Sequence, residues 1–269
     1  MKAFVNHLLF DFKTGLRNPT QMLMNYLFPL VFFVFMGMLM VPINPTFAKS
    51  MIPAMVVFTV LVGAILGLPG PLVEWREAGI FRSFKINGVP ARSILSIPAL
   101  STVFHALIVS AVIALSAGPL FKAAVPTNWA AFAGVTLLTA FSLAALGALI
   151  GVVATEVRST VLFSQLIFLP SMLLGGLMLP TEILPAALRP VAGLLPATYA
   201  MQAYQGLAYG QPTVVRPLVA LLVLLSSGLL SFALATYLFN WDSRNASRRG
   251  HPALALLVLL PYVAALLLS

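Results

Sequence analysis

Residues 51–73 read MIPAMVVFTVLVGAILGLPGPLV and run directly into EWREAGIFRSFK at 74–85. The first stretch carries no charge over 23 residues, more than the about 20 apolar residues that cross a bilayer. The second places five charges in twelve residues, so the chain passes at Glu74 from hydrocarbon to water.

Working outward, the same texture covers the chain. Of its 269 residues 61% are hydrophobic and 8% charged, with a mean hydropathy of +1.03. Water-soluble domains carry about 25% charged residues, so this is an integral membrane protein, read as one domain with no room for a separate soluble catalytic unit. The net charge of +9 would suggest nucleic acid in a soluble protein, but here the basic residues sit at the ends of apolar stretches, where they set orientation and meet anionic headgroups. The lipid bilayer is the expected partner and nucleic acid is not. The absence of cysteine rules out a disulfide framework and thiolate metal sites. Asp11, Lys13 and Arg17 interrupt what would be the apolar core of a cleavable signal peptide.

The sequence predicts an all-α fold with six transmembrane helices, at roughly 21–41, 51–73, 94–117, 129–154, 160–179 and 217–239. Ahead of them, Phe4, Val5, Leu8, Leu9, Phe12 and Leu16 recur at helical spacing over residues 1–18, which predicts an interfacial helix with its apolar face in the acyl chains. Beyond them, residues 241–269 form a basic linker and a 17-residue apolar stretch, Pro252 to Leu268, able to cross as a seventh helix or to lie shallow. With the N-terminus inside, eleven Lys and Arg fall on the cytoplasmic side against Lys49, Lys122, Arg189 and Arg216 outside. The connection 180–216 is external, 37 residues long, apolar and chopped by proline, and is predicted to form a pair of short re-entrant half-helices.

Several chemistries are absent. No G-x-x-x-x-G-K-[ST], H-E-x-x-H or G-x-S-x-G occurs, and His7, His105 and His251 are scattered, so no catalytic, cofactor or metal residues are assigned. No acidic residue lies deep in a predicted span, which argues against ion-coupled transport. The cytoplasmic segment 74–92 is instead the richest local signal. Read as one helix over Glu74–Lys85, it aligns Trp75, Ala78 and Phe81 on one side, and its three large aromatics, Trp75, Phe81 and Phe84, suggest docking rather than solvent exposure. Phe28, Phe32, Phe33 and Met36, with Ser164 and Gln165, are candidates to line an apolar path for an amphipathic drug-like or lipid-like molecule.

Over residues 1–240 the chain resembles the permease subunit of type-2 ABC exporters. The resemblance rests on Glu74-x-x-Glu77-x-Gly79, Arg17-Asn18-Pro19, Leu174-Gly175-Gly176 with Pro180, Leu184-Pro185, and Pro196-Ala197-Thr198-Tyr199. The family commonly reads Glu-Arg-Glu where this chain has Glu74-Trp75-Arg76-Glu77, and the final hydrophobic segment extends beyond the common six spans. The resemblance implies a separate ABC ATPase subunit, carrying ATP and Mg, docked on Glu74, Trp75, Arg76, Glu77, Gly79, Phe81, Arg82 and Phe84. It also implies pairing with a second permease copy or paralogue, and an external gate involving Pro180, Pro185, Pro196 and Tyr199. The substrate would be drug-like, lipid-like or glycan-like and would leave the cell across the plasma membrane. A non-transporting membrane scaffold and an ion-coupled carrier are the alternatives.

The native chain lacks cysteine, so single cysteines report topology directly. A membrane-impermeant maleimide applied to intact cells is expected to label Gln211→Cys and to leave Lys85→Cys unlabelled; the opposite pattern would invert the orientation.

Overall fold

A computed structural model describes residues 2–179, 181–242 and 250–268; among these no strand occurs. In chain order the helices are α1 (Lys2–Arg17), α2 (Pro19–Ile43), α3 (Phe47–Glu77), α4 (Ile80–Ile86), α5 (Ala91–Phe121), α6 (Trp129–Val153), α7 (Val157–Leu174), α8 (Pro196–Ala203), α9 (Pro217–Leu238) and α10 (Leu260–Leu268). Six of them, α2, α3, α5, α6, α7 and α9, are long and apolar enough to cross a membrane.

Helix α3 is the central post. Every residue from Met51 to Ile65 is buried, because the helix is apolar on all sides and α2, α5, α6 and α7 surround it. With no hydrophobic driving force between helices in lipid, close approach comes from small residues and from hydrogen bonds. A Cβ on Gly147 of α6 would run into the Ala64 carbonyl of α3, and one on Gly151 would meet Leu72. Helices α6 and α9 meet at Gly228, which lies against Phe141 and Ser142, and at a hydroxyl pair, Ser142–Ser227 at 3.1 Å.

Two of the long helices contain π turns, Leu23–Leu27 in α2 and Val62–Gly67 in α3. Each such turn inserts one extra residue and re-aims the side chains around it. The two turns face each other: Asn25 is buried, and its Oδ1 lies 3.1 Å from where a Cβ of Gly63 would stand.

The last apolar stretch runs the full depth of the bundle. Gly250 packs near Leu238 at the α1 end, Tyr262 donates to Ser227 Oγ at 2.9 Å, and Leu266 reaches Gly193 at the opposite end. Residues Pro252–Leu259 are wound as a 3-10 helix before α10. Seventeen residues in α form would reach only about 25 Å, whereas the longer 3-10 rise brings the segment to about 30 Å, the thickness of the hydrocarbon.

The connection between α7 and α9 departs from a pair of half-helices. It holds a 3-10 turn at Thr181–Ile183, one helical turn at Arg189–Ala192, and then α8, which continues as a π turn, Tyr204–Ala208. Only the last of these is packed inside the bundle: all eight α8 residues are buried, whereas 185–191 are exposed. Buried polar groups in α8 find partners. Tyr204 donates to Thr136 Oγ1 at 2.8 Å, Thr198 to the Ala192 carbonyl at 2.6 Å, and Gln202 Oε1 accepts from Val214 N at 2.9 Å. Backbone amides over 196–208 are therefore expected to exchange with deuterium orders of magnitude more slowly than those over 185–191, read by mass spectrometry; equal rates would show that α8 is not packed.

Candidate functional site

The charged stretch after Val73 does not form one helix. Helix α3 continues to Glu77, Ala78 caps it, and Gly79 turns the chain in the left-handed region at φ +75° before α4 begins. This conformation suits glycine because it has no Cβ. A Cβ at Gly79 would meet nothing within 4 Å, so within the chain the need for glycine is conformational. A second left-handed glycine, Gly88 at φ +72°, ends α4 and leads to α5.

The break re-phases the helix wheel, and half of the candidate docking residues turn inward: Arg76 and Phe81 are buried, and Trp75 and Phe84 half-buried. Arg76 is buried, and its guanidinium lies at the carbonyl end of α6. It donates to Val152 O at 3.0 Å, to Gly151 O at 3.4 Å, to Thr155 O at 3.5 Å and to Ala154 O. The helix end supplies orphan carbonyls and the negative pole of its dipole, so a cation is well placed there. Phe81 is 2% exposed and packs on Phe239 beyond α9, ring centres 5.4 Å apart. Arg82 pairs with Asp242, and Phe84 lies 5.6 Å from His7 of α1. Trp75, expected with Phe81 as a partner's anchor, is half-buried and lines a cavity together with Glu74.

What remains outward is a different set. Glu74, Glu77 and Arg82 of the candidate set stay exposed, and Ile80, Lys85 and Ile86 join them, Ile86 by 80%. The two isoleucines were missed because a single helix over 74–85 hides the effect of Gly79. Once α4 starts at Ile80, Phe81 and Phe84 share the inner face at three-residue spacing and Ile86 falls outside it.

The residues proposed for a translocation path separate into two groups. Phe32 stacks on Phe58 of α3 with centres 4.2 Å apart, Phe28 lies 5.7 Å from the same ring, Phe33 meets Phe121 edge-on at 5.4 Å, and Met36 is buried. These four dock α2 on its neighbours. Ser164 and Gln165 instead line a cavity of about 540 Å³ between α1, α2, α3, α5 and α7, into which both π turns open. Among the residues expected at an external gate, Pro196 opens α8, Tyr199 is buried and donates to the Gly193 carbonyl at 2.8 Å, and Pro185 is exposed. Pro180 lies outside the described residues.

Helix α1 also differs from a purely interfacial helix. Phe4, His7, Leu8, Asp11, Phe12 and Gly15 form its inner face, while Val5, Leu9, Phe10 and Leu16 stay exposed. Phe12 stacks on His105 of α5 at 4.3 Å, and burial pushes the Asp11 carboxyl above its usual range against smaller pulls from a Ser101 hydrogen bond and from His7. His105 Nδ1 and the Tyr26 hydroxyl are 2.7 Å apart.

A family model, the ABC-2 type transporter, matches residues 7–209, and so takes in α1 through the π turn after α8. No curated protein matches the chain.

Replacing Arg76 strands the carbonyls at the end of α6. Arg76→Ala is expected to cost about 3 kcal/mol, since each buried unsatisfied polar group costs about 1–3 kcal/mol, and Arg76→Lys to recover only part, because an ammonium lacks the fork. Thermal unfolding in detergent measures both, and a melting curve equal to that of the parent would mean the carbonyls need no cap from Arg76.

Proposed function

The chain belongs to the ABC-2 type transporter family, and from that premise we propose that it is the permease of an ATP-driven exporter whose ATPase docks on the exposed face of the α3–α4 elbow. As a permease of an ABC transporter it carries no ATP-binding motif of its own; ATP and Mg belong to the partner chain.

The observation that carries the docking reading is the elbow's division of labour. Its outward side offers two exposed isoleucines, Ile80 and Ile86, together with the exposed Glu77 and Lys85, while its inward side is tied to three other parts of the bundle. Arg76 holds α6, Phe81 and Arg82 hold the end of α9, and Phe84 touches α1. A partner gripping the outer side therefore moves α1, α6 and α9 together. The apolar anchor is Ile86 with Ile80, the charges at the rim orient the partner, and Gly79 sets the angle between the two helices.

The orientation follows from the distribution of basic residues: α1 and the elbow are cytoplasmic, and α8 lies in the outer half of the plasma membrane. Two permeases, identical or paralogous, face one another with the substrate passing outward between them, and α8 with Tyr199 closes the outer end. The substrate enters from the cavity beside α1, where Ser164 and Gln165 stand.

Ile86→Asp and Ile80→Asp are expected to reduce co-purification of the ATPase by tenfold or more, equivalent to about 1.4 kcal/mol or more, while membrane insertion and melting temperature stay as in the parent. Phe81→Ala is expected to lower the melting temperature first, because its contact lies inside the chain. Undiminished ATPase association and export in both isoleucine variants would refute this docking surface.

A further inference from the structure

We propose that the cavity enclosed by α1, α2, α3, α5 and α7 binds the positively charged end of an amphipathic organic amine, with Asp11 and Glu74 as its counter-charges and His105 and Gln21 as its neutral polar contacts. The assignment rests on the permease reading and narrows the substrate class of the same pathway.

Size comes first. About 540 Å³ suits a drug-sized molecule and exceeds what a single ion or a few waters occupy. Charge comes second. The chain as a whole has fifteen Lys and Arg against six Asp and Glu, yet two of those six acids, Asp11 and Glu74, line this one cavity, and no Lys or Arg does. A partly enclosed site whose formal charges are all negative draws cations and repels anions, more strongly than an open surface does. Asp11 is the informative member. It sits on the inner face of α1 opposite Ser101, and no Lys or Arg lines the cavity with it. A half-buried carboxylate with His7 as its basic neighbour and no Lys or Arg in the cavity is costly, and a ligand ammonium offsets that cost.

The third observation is an unpaired group at the same place. His105 is 2% exposed, with one face against Phe12 and Nδ1 engaged by Tyr26, yet Nε2 has no hydrogen-bond partner. Beside it Gly15 leaves a notch: a Cβ there would come within 2.8 Å of both His105 Nε2 and Gln21 Oε1. Two polar atoms thus converge on a point that any larger residue would fill. Trp75 supplies an aromatic wall from the elbow side, suited to an apolar body or to a cation over its ring. An inorganic cation fits poorly, because no group of three or more His, Asp or Glu that could hold a metal exists among the described residues.

The experiment uses the full chain in phosphatidylcholine nanodiscs, with empty nanodiscs as the blank, and follows fluorescence polarisation of rhodamine 6G, a cationic amphipath. Saturable binding is expected, weakened at least tenfold in Asp11→Asn, kept within about threefold in Asp11→Glu, and weakened severalfold in Glu74→Gln, whose side chain is exposed and not needed for folding. Gly15→Leu, filling the notch, is expected to weaken binding as Asp11→Asn does, and the anionic amphipath anilinonaphthalene sulfonate is expected not to compete. Binding that ignores both Asp11→Asn and Glu74→Gln, or equal competition by the anion, would overturn the proposal. The permease reading is scored separately on the same preparation: if the ATPase associates while binding ignores both acids, only the cation site fails, whereas a chain that associates with no ATPase loses the permease reading whatever it binds.

Discussion

Helix α6 ends in carbonyl groups that no further turn of helix can satisfy, and the guanidinium of Arg76 is what satisfies them. Because α6 also packs on α3, α5 and α9, fixing its end fixes the register of the bundle at that depth. The contact is made by a residue of α3 that lies three positions before Gly79. The elbow is consequently not a loop hung between two spans. Its inner wall is part of the core, extended to the end of α9 by Phe81 on Phe239 and by the pairing of Arg82 with Asp242.

The long elements were legible because the bilayer imposes a length on them. The expected span at 51–73 became Phe47–Glu77, because that helix runs past the apolar stretch into the interface, whereas that at 217–239 became Pro217–Leu238, a difference of one residue. The shortest, 160–179, lost its end at Leu174, where Gly175 and the left-handed Gly176 stop the helix although Leu177, Met178 and Leu179 keep the pattern apolar. Hydropathy measures solvent preference and says nothing about backbone conformation. The same gap hid the 3-10 winding of Pro252–Leu259, which lets a segment at the short limit reach both ends of the bundle.

The site was less legible, for a related reason. On α1 the apolar stripe was assigned to lipid, but half of it faces protein. His7, Asp11 and Gly15 share that inner face because α5 presents Ser101 and His105 opposite them. A hydrophobic wheel ranks faces by polarity and therefore points such residues outward; only a neighbouring helix with polar groups of its own reverses the choice. At the elbow the inner and outer faces were exchanged by a single backbone angle at Gly79. The Glu-Arg-Glu comparison pointed to this stretch, and spacing alone did not distinguish Arg76, which caps a helix, from Glu77, which faces outward.

The elbow and the cavity are also mechanically adjacent. Glu74 and Trp75 line the cavity within one turn of helix from Glu77 on the exposed side. Above them α3 is buried on all sides from Met51 to Ile65, and close packing there leaves no continuous way to shift it. A displacement applied to the elbow must be taken up between those two regions, over roughly the stretch 66–73. That stretch begins at the end of the π turn Val62–Gly67, which departs from regular α geometry and where Gly63 and Gly67 carry no side chain and Asn25 of the opposing π turn lies against them. A π turn can pass its extra residue along the helix at small cost because it keeps its hydrogen bonds in either register. The most deformable segment of the central helix therefore forms the wall of the cavity that holds Asp11 and His105, so force on the outer face of the elbow and the shape of the cavity cannot be independent.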